Sequence, residues 1–214
     1  MSRGSPEKTQ ARREEILDVA QALYQEKPYH AITIGDIGAR TSFGRTSVYT
    51  YFQTKDEIFM AFMAREYDAW SATLEKETAR HTATGAKAFA AMLAQSLVTH
   101  PLLFKLLSMN LYEMESRTRL EHLTAFKRSY GQSRKALEAA FCAYIPQADD
   151  EMAETFLCLF YPFLFGVYPY TNVTPEQAQA MDAAGVPPHT CGLVELVEAF
   201  TLSLVKGLLA GHQV

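Results

Sequence analysis

Apolar positions recur at spacings of three and four along almost the whole chain, and no alternating β-branched run closed by tight turns interrupts them. This pattern predicts an all-α fold. A first helix is predicted over residues 7–26, with Ile16, Val19, Ala20 and Leu23 in one stripe and Pro28 stopping it. Thr33-x-x-Asp36 resembles a capping box, Asp standing for the usual Glu or Gln, and opens a short helix over residues 34–40 with Ile34 and Ile37 as its apolar contacts. A third short helix is expected over residues 44–53, because Thr54-x-x-Glu57 is a full capping box that starts another.

From Ile58 onward the pattern changes to long helices rich in aromatic residues and methionine, and Phe59, Phe62, Met63, Tyr67, Trp70 and Leu74 imply a second core. Gly85 separates that helix from the next, and Pro101 suits the first position of another. Helices are predicted over residues 117–144 and 149–168, then a Pro/Gly-rich connection over 169–189 and a last helix over 191–209. The expected division is a helix-turn-helix domain over residues 1–55 and a larger helical domain over 56–214.

The stretch GRTSVYTYF, residues 44–52, combines packing and polar residues in a way that a core alone does not require. At about 100° per residue, Arg45, Thr46, Tyr49, Thr50 and Gln53 fall within one arc, with Val48 and Phe52 opposite. Two short helices joined by a tight turn, the second exposing Arg, Thr and Tyr, are the parts of a helix-turn-helix reader of double-stranded DNA. Arg45 can make a bidentate contact to guanine, Thr46 and Thr50 can bond to base edges, and Tyr49 can reach a phosphate. The competing reading is a small bundle with a solvated face.

Three pieces resemble the N-terminal signature of the tetracycline-repressor (TetR/AcrR) family of transcription regulators. They are Arg13-Glu14-Glu15-Ile16-Leu17-Asp18-Val19-Ala20, Thr33 before Asp36-Ile37-Gly38, and Arg45-Thr46-Ser47-Val48-Tyr49-x-Tyr51-Phe52 followed by Lys55. The resemblance implies that Thr33 contacts a phosphate, that Arg45, Thr46 and Thr50 address bases, and that Tyr49, Tyr51 and Lys55 grip the backbone, with Ser47 inside the same DNA-binding run. Helical spacing places Tyr51 on the flank beside Val48, a position suited to a contact from the edge. The turn Thr41-Ser42-Phe43-Gly44 departs from the family pattern, carrying serine where its glycine is usual and glycine where its capping serine is usual. Glycine at the cap costs a few tenths of a kcal/mol relative to serine.

Charge narrows how DNA could be held. The chain of 214 residues has a formal charge of −4. The first 57 residues carry eight basic and eight acidic side chains, so the deficit lies in the remaining 12 against 16. DNA binding must then be local. Cys142, Cys158 and Cys191 form no CxxC pair, residues 1–13 carry no apolar leader, and the apolar tract 156–168 falls short of the roughly 20 residues of a membrane span. A cytoplasmic protein is expected, with no membrane partner. No GxSxG, HExxH, P-loop or dinucleotide turn appears, so neither an enzyme nor a cofactor is expected, and no metal site is assigned. The alternatives are a metal-responsive regulator using Cys and His across helices, for which His189-x-Cys191 is isolated, a ligand-independent regulator, and a membrane-surface helical protein.

The family resemblance implies that the larger domain binds a small-molecule effector and dimerises. Phe89, Met92, Phe104, Met109 and Tyr112 supply an apolar lining, continued by Phe126 and Tyr130 and interrupted by His100, Asn110 and His122, which is the composition of a pocket for a small apolar or amphipathic ligand. Each of these residues also suits an ordinary core. Leu193, Leu196, Val197, Phe200, Leu204 and Leu208 form one stripe, and Val194, Leu202, Val205 and Leu209 widen it beyond what one neighbouring helix covers. With Phe156, Phe160 and Phe163 they suggest a four-helix seam in a homodimer. A C-terminal helix buried in its own subunit is the rival reading. Repression with release by the effector is what the family implies.

Overall fold

The computed structural model describes residues 5–187 and 191–211, and every regular element among them is helical. The order is α1 (Pro6–Glu26), α2 (Ile34–Arg40), α3 (Arg45–Val48), α4 (Lys55–Arg80), α5 (Ala86–Val98), α6 (Pro101–Leu107), α7 (Leu111–Ser116), α8 (Leu120–Tyr144), α9 (Asp150–Thr171), α10 (Pro175–Ala183) and α11 (Leu193–Gly211), with a 3-10 turn at Tyr29–Ala31. The backbone divides into two compact units, one comprising Met1–Arg65 and Asn110–Ser129, the other Glu66–Met109 and Tyr130–Val214. The first unit therefore extends past residue 55 and takes in α7 and the start of α8.

In the first unit, α1 buries Ile16, Ala20 and Leu23, α2 buries Ile37, and the opening turns of α4 bury Ile58, Phe59 and Phe62. Tyr24 and Tyr29 meet Phe59 edge-on at 5.3 and 4.8 Å, a favourable arrangement of ring quadrupoles. Arg65 ties α4 to α1 by donating to Asp18 and Gln21, each at 2.7 Å. In the second unit the rings of Phe141, Phe156 and Phe160 stack in sequence at 4.7 and 5.2 Å, with Phe89 edge-on to the first two. α11 packs on α5 and α9, burying Val197, Thr201 and Val205 at four-residue spacing.

Four elements differ from the pattern's expectation. α3 is four residues long where ten were expected, because after Val48 the bonds tighten to Thr50 N–H on Ser47 O and Tyr51 N–H on Val48 O, a 3-10 geometry. Its Thr, Val and Tyr content has low helix propensity. The helix expected to start at 117 is α8, starting at Leu120, and a separate α7 precedes it, capped where Asn110 Oδ1 accepts from Glu113 N–H. α10 lies inside the stretch expected to be a connection, where Thr174-Pro175-x-Gln177 forms a capping box with proline in the first turn. α9 reaches 22 residues and is long and apolar enough to cross a membrane by length and composition. Its Met152, Phe156, Phe160, Leu164 and Val167 are instead buried in the second unit.

Candidate nucleic-acid interface

The site begins with a capped helix. Thr33 Oγ1 accepts from Asp36 N–H at 3.1 Å and Asp36 accepts from Thr33 N–H at 2.9 Å, so both arms of the box close. Thr33 is exposed, with its hydroxyl also bonded to Asp36 at 2.9 Å. A Cβ on Gly38 would lie 2.4 Å from Arg45 Cα and 2.7 Å from Arg45 N, so α3 can start where it does only because residue 38 has no side chain. Gly44 then enters α3 at φ +75°, a conformation that glycine adopts without strain and serine does not. The missing capping serine is the cost of that turn. Ser42 is held separately, its hydroxyl donating to Glu15 at 2.9 Å.

Arg45, Thr46, Tyr49, Thr50 and Gln53 are exposed, Ser47 is half-buried, and Val48 and Phe52 have no solvent exposure. The two-sided character predicted from spacing thus survives the shortening of the helix. Arg45 Nη2 donates to Tyr49 Oη at 3.2 Å, aligning the two side chains on one face. Tyr51 is half-buried on the flank, its ring 6.2 Å from that of Phe43.

Lys55 is more committed than its sequence context suggests. Its Nζ donates to the carbonyls of Tyr29 at 2.8 Å and Ile32 at 2.9 Å and sits 3.9 Å over the Tyr29 ring. Burial lowers its pKa. Two of its three N–H donors therefore hold the turn before α2, leaving one for a phosphate.

Glu57 closes the site from behind. Thr54 Oγ1 accepts from Glu57 N–H at 3.1 Å, as in a capping box, but the Glu57 carboxylate accepts from Gln53 N–H at 2.6 Å and not from Thr54. The same carboxylate takes a fork from Arg119, with Nε at 2.6 Å and Nη2 at 2.9 Å. Burial raises the Glu57 pKa, but the hydrogen bonds from Arg119 and from the Gln53 amide outweigh it and bring the value down to about 2. His122 Nε2 lies 2.9 Å from Arg119 Nη2, and its ring is 5.2 Å from that of Phe52. On another side Arg13 sits 4.6 Å over the same Phe52 ring.

Residues 16–62 match the family model described as bacterial regulatory proteins, tetR family, and residues 64–212 match the tetracyclin repressor-like C-terminal domain. The chain belongs to the TetR family. It is a TetR-family transcriptional regulator. No curated protein matches it. Among solved structures it is similar to a TetR transcriptional regulator from Rhodococcus sp. RHA1, at 17% identity and a TM-score of 0.60, over 94% of this chain and 97% of that one. It is also similar to the MbdR regulator from Azoarcus sp. CIB, at 21% identity and a TM-score of 0.50, over 91% and 97%. At these identities the likeness concerns the fold.

In this TetR-family chain the ten expected pocket residues are divided between the two units. Asn110, Tyr112, His122 and Phe126 belong to the first, and Phe89, Met92, His100, Phe104, Met109 and Tyr130 to the second. Tyr112 is 84% exposed, and Asn110 caps α7. Phe89 and Phe104 are buried in the core, while His100 Nε2 lies 2.8 Å from Thr73 Oγ1, its pKa lowered by burial. A cleft of about 390 Å³ in the second unit, between α4 and α8, is lined by other residues, among them Asp68, Ser71, Glu75, Gln132 and Lys135.

The expected seam residues also separate. Phe156, Phe160 and Val197 face their own unit's core, at 0, 0 and 1% exposure. Phe163, Leu193, Leu196, Phe200, Leu204 and Leu208 stay half-exposed, and Phe163 stacks on Phe200 at 3.9 Å. Among the described residues no group of three His, Cys, Asp or Glu could hold a metal, and His189 lies outside the described residues. The sequence pattern assigns Gly38 no role beyond its place in the family signature and assigns Arg119 none. A second glycine within a seven-residue helix, after Gly35, was a usable signal for the first, but nothing local marks an arginine 62 residues from its partner.

Proposed function

We propose that this TetR-family regulator is a sequence-specific DNA-binding repressor that acts as a homodimer and is released from its operator by a small apolar or amphipathic effector. The observation that carries the reading is the exposed set Arg45, Thr46, Tyr49 and Thr50 on a short helix whose other side, Val48 and Phe52, is wholly buried. Such a helix enters the major groove. Arg45 then addresses a guanine, Thr46 and Thr50 base edges, and Ser47, Tyr49 and Tyr51 the adjoining backbone, with Thr33 and the remaining Lys55 donor on phosphates. Residues 1–55 carry this reading, and residues 56–214 carry effector binding and dimerisation.

The half-exposed apolar stripe of α11, with Phe163 of α9, supports a two-fold seam, and a two-fold axis would set two α3 helices at a fixed half-site spacing. An effector that changes the spacing lowers occupancy. Reversing occupancy from 1:99 to 99:1 requires a preference of about 5.5 kcal/mol between the two states.

Selection of bound fragments from random duplex DNA tests the reading. A two-fold related operator should emerge, and Arg45→Ala should relax preference at one base pair per half-site while lowering affinity about tenfold. Recovery of no preferred sequence, or equal binding by wild type and Arg45→Ala, overturns it.

A further inference from the structure

We propose that Arg119 is a positioning residue for the DNA reader, holding the backbone at Gln53 through Glu57 and at Tyr51 directly, and so setting the pose of the exposed α3 face. The proposal rests on the reading that this face contacts DNA. Its evidence is a cluster that local helix capping does not require. A cap at Thr54 would be complete if the Glu57 carboxylate returned to the Thr54 amide. It passes that amide, accepts from Gln53 N–H at 2.6 Å, and gives its remaining acceptor capacity to Arg119 Nε at 2.6 Å, Nη2 at 2.9 Å and backbone N–H at 3.3 Å.

The Glu57 side chain is 0% exposed and that of Arg119 is 37% exposed. A carboxylate removed from water needs a charged, hydrogen-bonded partner, and the planar guanidinium supplies two parallel donors in fixed geometry. Arg119 Nη2 also reaches Tyr51 O at 3.4 Å and His122 Nε2 at 2.9 Å, while Nη1 pairs with Glu121 at 3.0 Å. Tyr51 directly follows Tyr49 and Thr50, and Gln53 lies two residues further on. The last turn of the reader is therefore pinned by a side chain from the α7–α8 turn, and the His122 ring against Phe52 at 5.2 Å presses the same turn on the buried side. A shift of the α7–α8 turn is transmitted to Gln53 and Tyr51 through these bonds.

Two readouts on the full-length protein test this. The first is the ratio of affinities for the selected operator and a scrambled duplex, with its salt dependence. Arg119→Ala should lower the ratio about fivefold or more, and Arg119→Lys, keeping the charge without the fork, should fall between. The slope of log affinity against log salt should stay unchanged, since no phosphate contact is removed. The second is amide hydrogen exchange at Gln53, which should speed up in both variants. An unchanged ratio overturns the proposal, whatever the exchange at Gln53. A slope reduced by about one alongside the unchanged ratio makes Arg119 a phosphate contact. If Arg119→Ala does not fold, Arg119→Lys and Glu57→Gln carry the same comparison. Absence of sequence preference in the wild type would remove the DNA reading on which the proposal rests, whereas a wild-type preference that Arg119→Ala leaves intact removes the proposal alone.

Discussion

Gly38 and Arg45 meet backbone to backbone: a Cβ on Gly38 would stand 2.4 Å from Arg45 Cα. The second helix of the reader is thereby seated directly on the first, with no side chain between them. Because the obstructing atoms are backbone, they cannot rotate away, and Gly38→Ala should destabilise the protein by about 1–3 kcal/mol through overpacking. A thermal unfolding midpoint equal to that of the wild type would show that α3 can move aside.

Tyr49 accepts from Arg45 at 3.2 Å, so the two act as a pair in the free protein. Tyr49→Phe removes a phosphate donor and releases Arg45. Affinity should fall alike for all sequences, with base preference unchanged, in binding assays on operator and mismatched duplexes. A changed preference at one base pair would make Tyr49 a residue that reads a base or positions Arg45 on one.

Lys55 bonds two carbonyls of the turn preceding α2. Lys55→Met should therefore cost stability, about 1–3 kcal/mol, as expected for charged hydrogen bonds partly removed from water. Denaturant unfolding measures it. A variant that loses DNA affinity at full stability would instead mark Lys55 as a phosphate contact alone.

The Glu57 carboxyl is held down to about 2, below its usual value of 4.5. A carboxyl with a depressed folded-state pKa contributes stability that is fully present above 4.5 and is lost as the pH falls from there towards 2. Burial likewise lowers the His122 pKa, with Arg13 and Arg119 adding to it against the opposing Glu57 and Glu121. Its neutral form therefore contributes stability present above 6.5 and lost as the pH falls below that value. Glu57→Gln should flatten the acid limb of a stability–pH curve, and an unaltered limb would place the sensitive carboxylates elsewhere.

Phe200 and Phe156 should separate association from folding. Phe200 is half-exposed and stacked on Phe163, so Phe200→Asp should shift sedimentation from dimer to monomer with helicity retained. Phe156 is fully buried between Phe141 and Phe160, and Phe156→Ala should cost about 3–5 kcal/mol of stability. Monomer sedimentation of the wild type would overturn the seam.

Helix periodicity, caps and punctuation were legible in the chain because they depend on neighbours within four residues. Thr33 and Asp36 cap the start of α2, Pro101 opens α6, and the spacing of Val48 and Phe52 separates the buried side of α3 from the exposed one. The tertiary structure decided what local rules do not contain. It turned Lys55 inward, drew Phe156 and Phe160 into a core, and joined Glu57 to Arg119. Each depends on groups distant in sequence competing for one buried donor, acceptor or space, and such competition is resolved only when the elements pack.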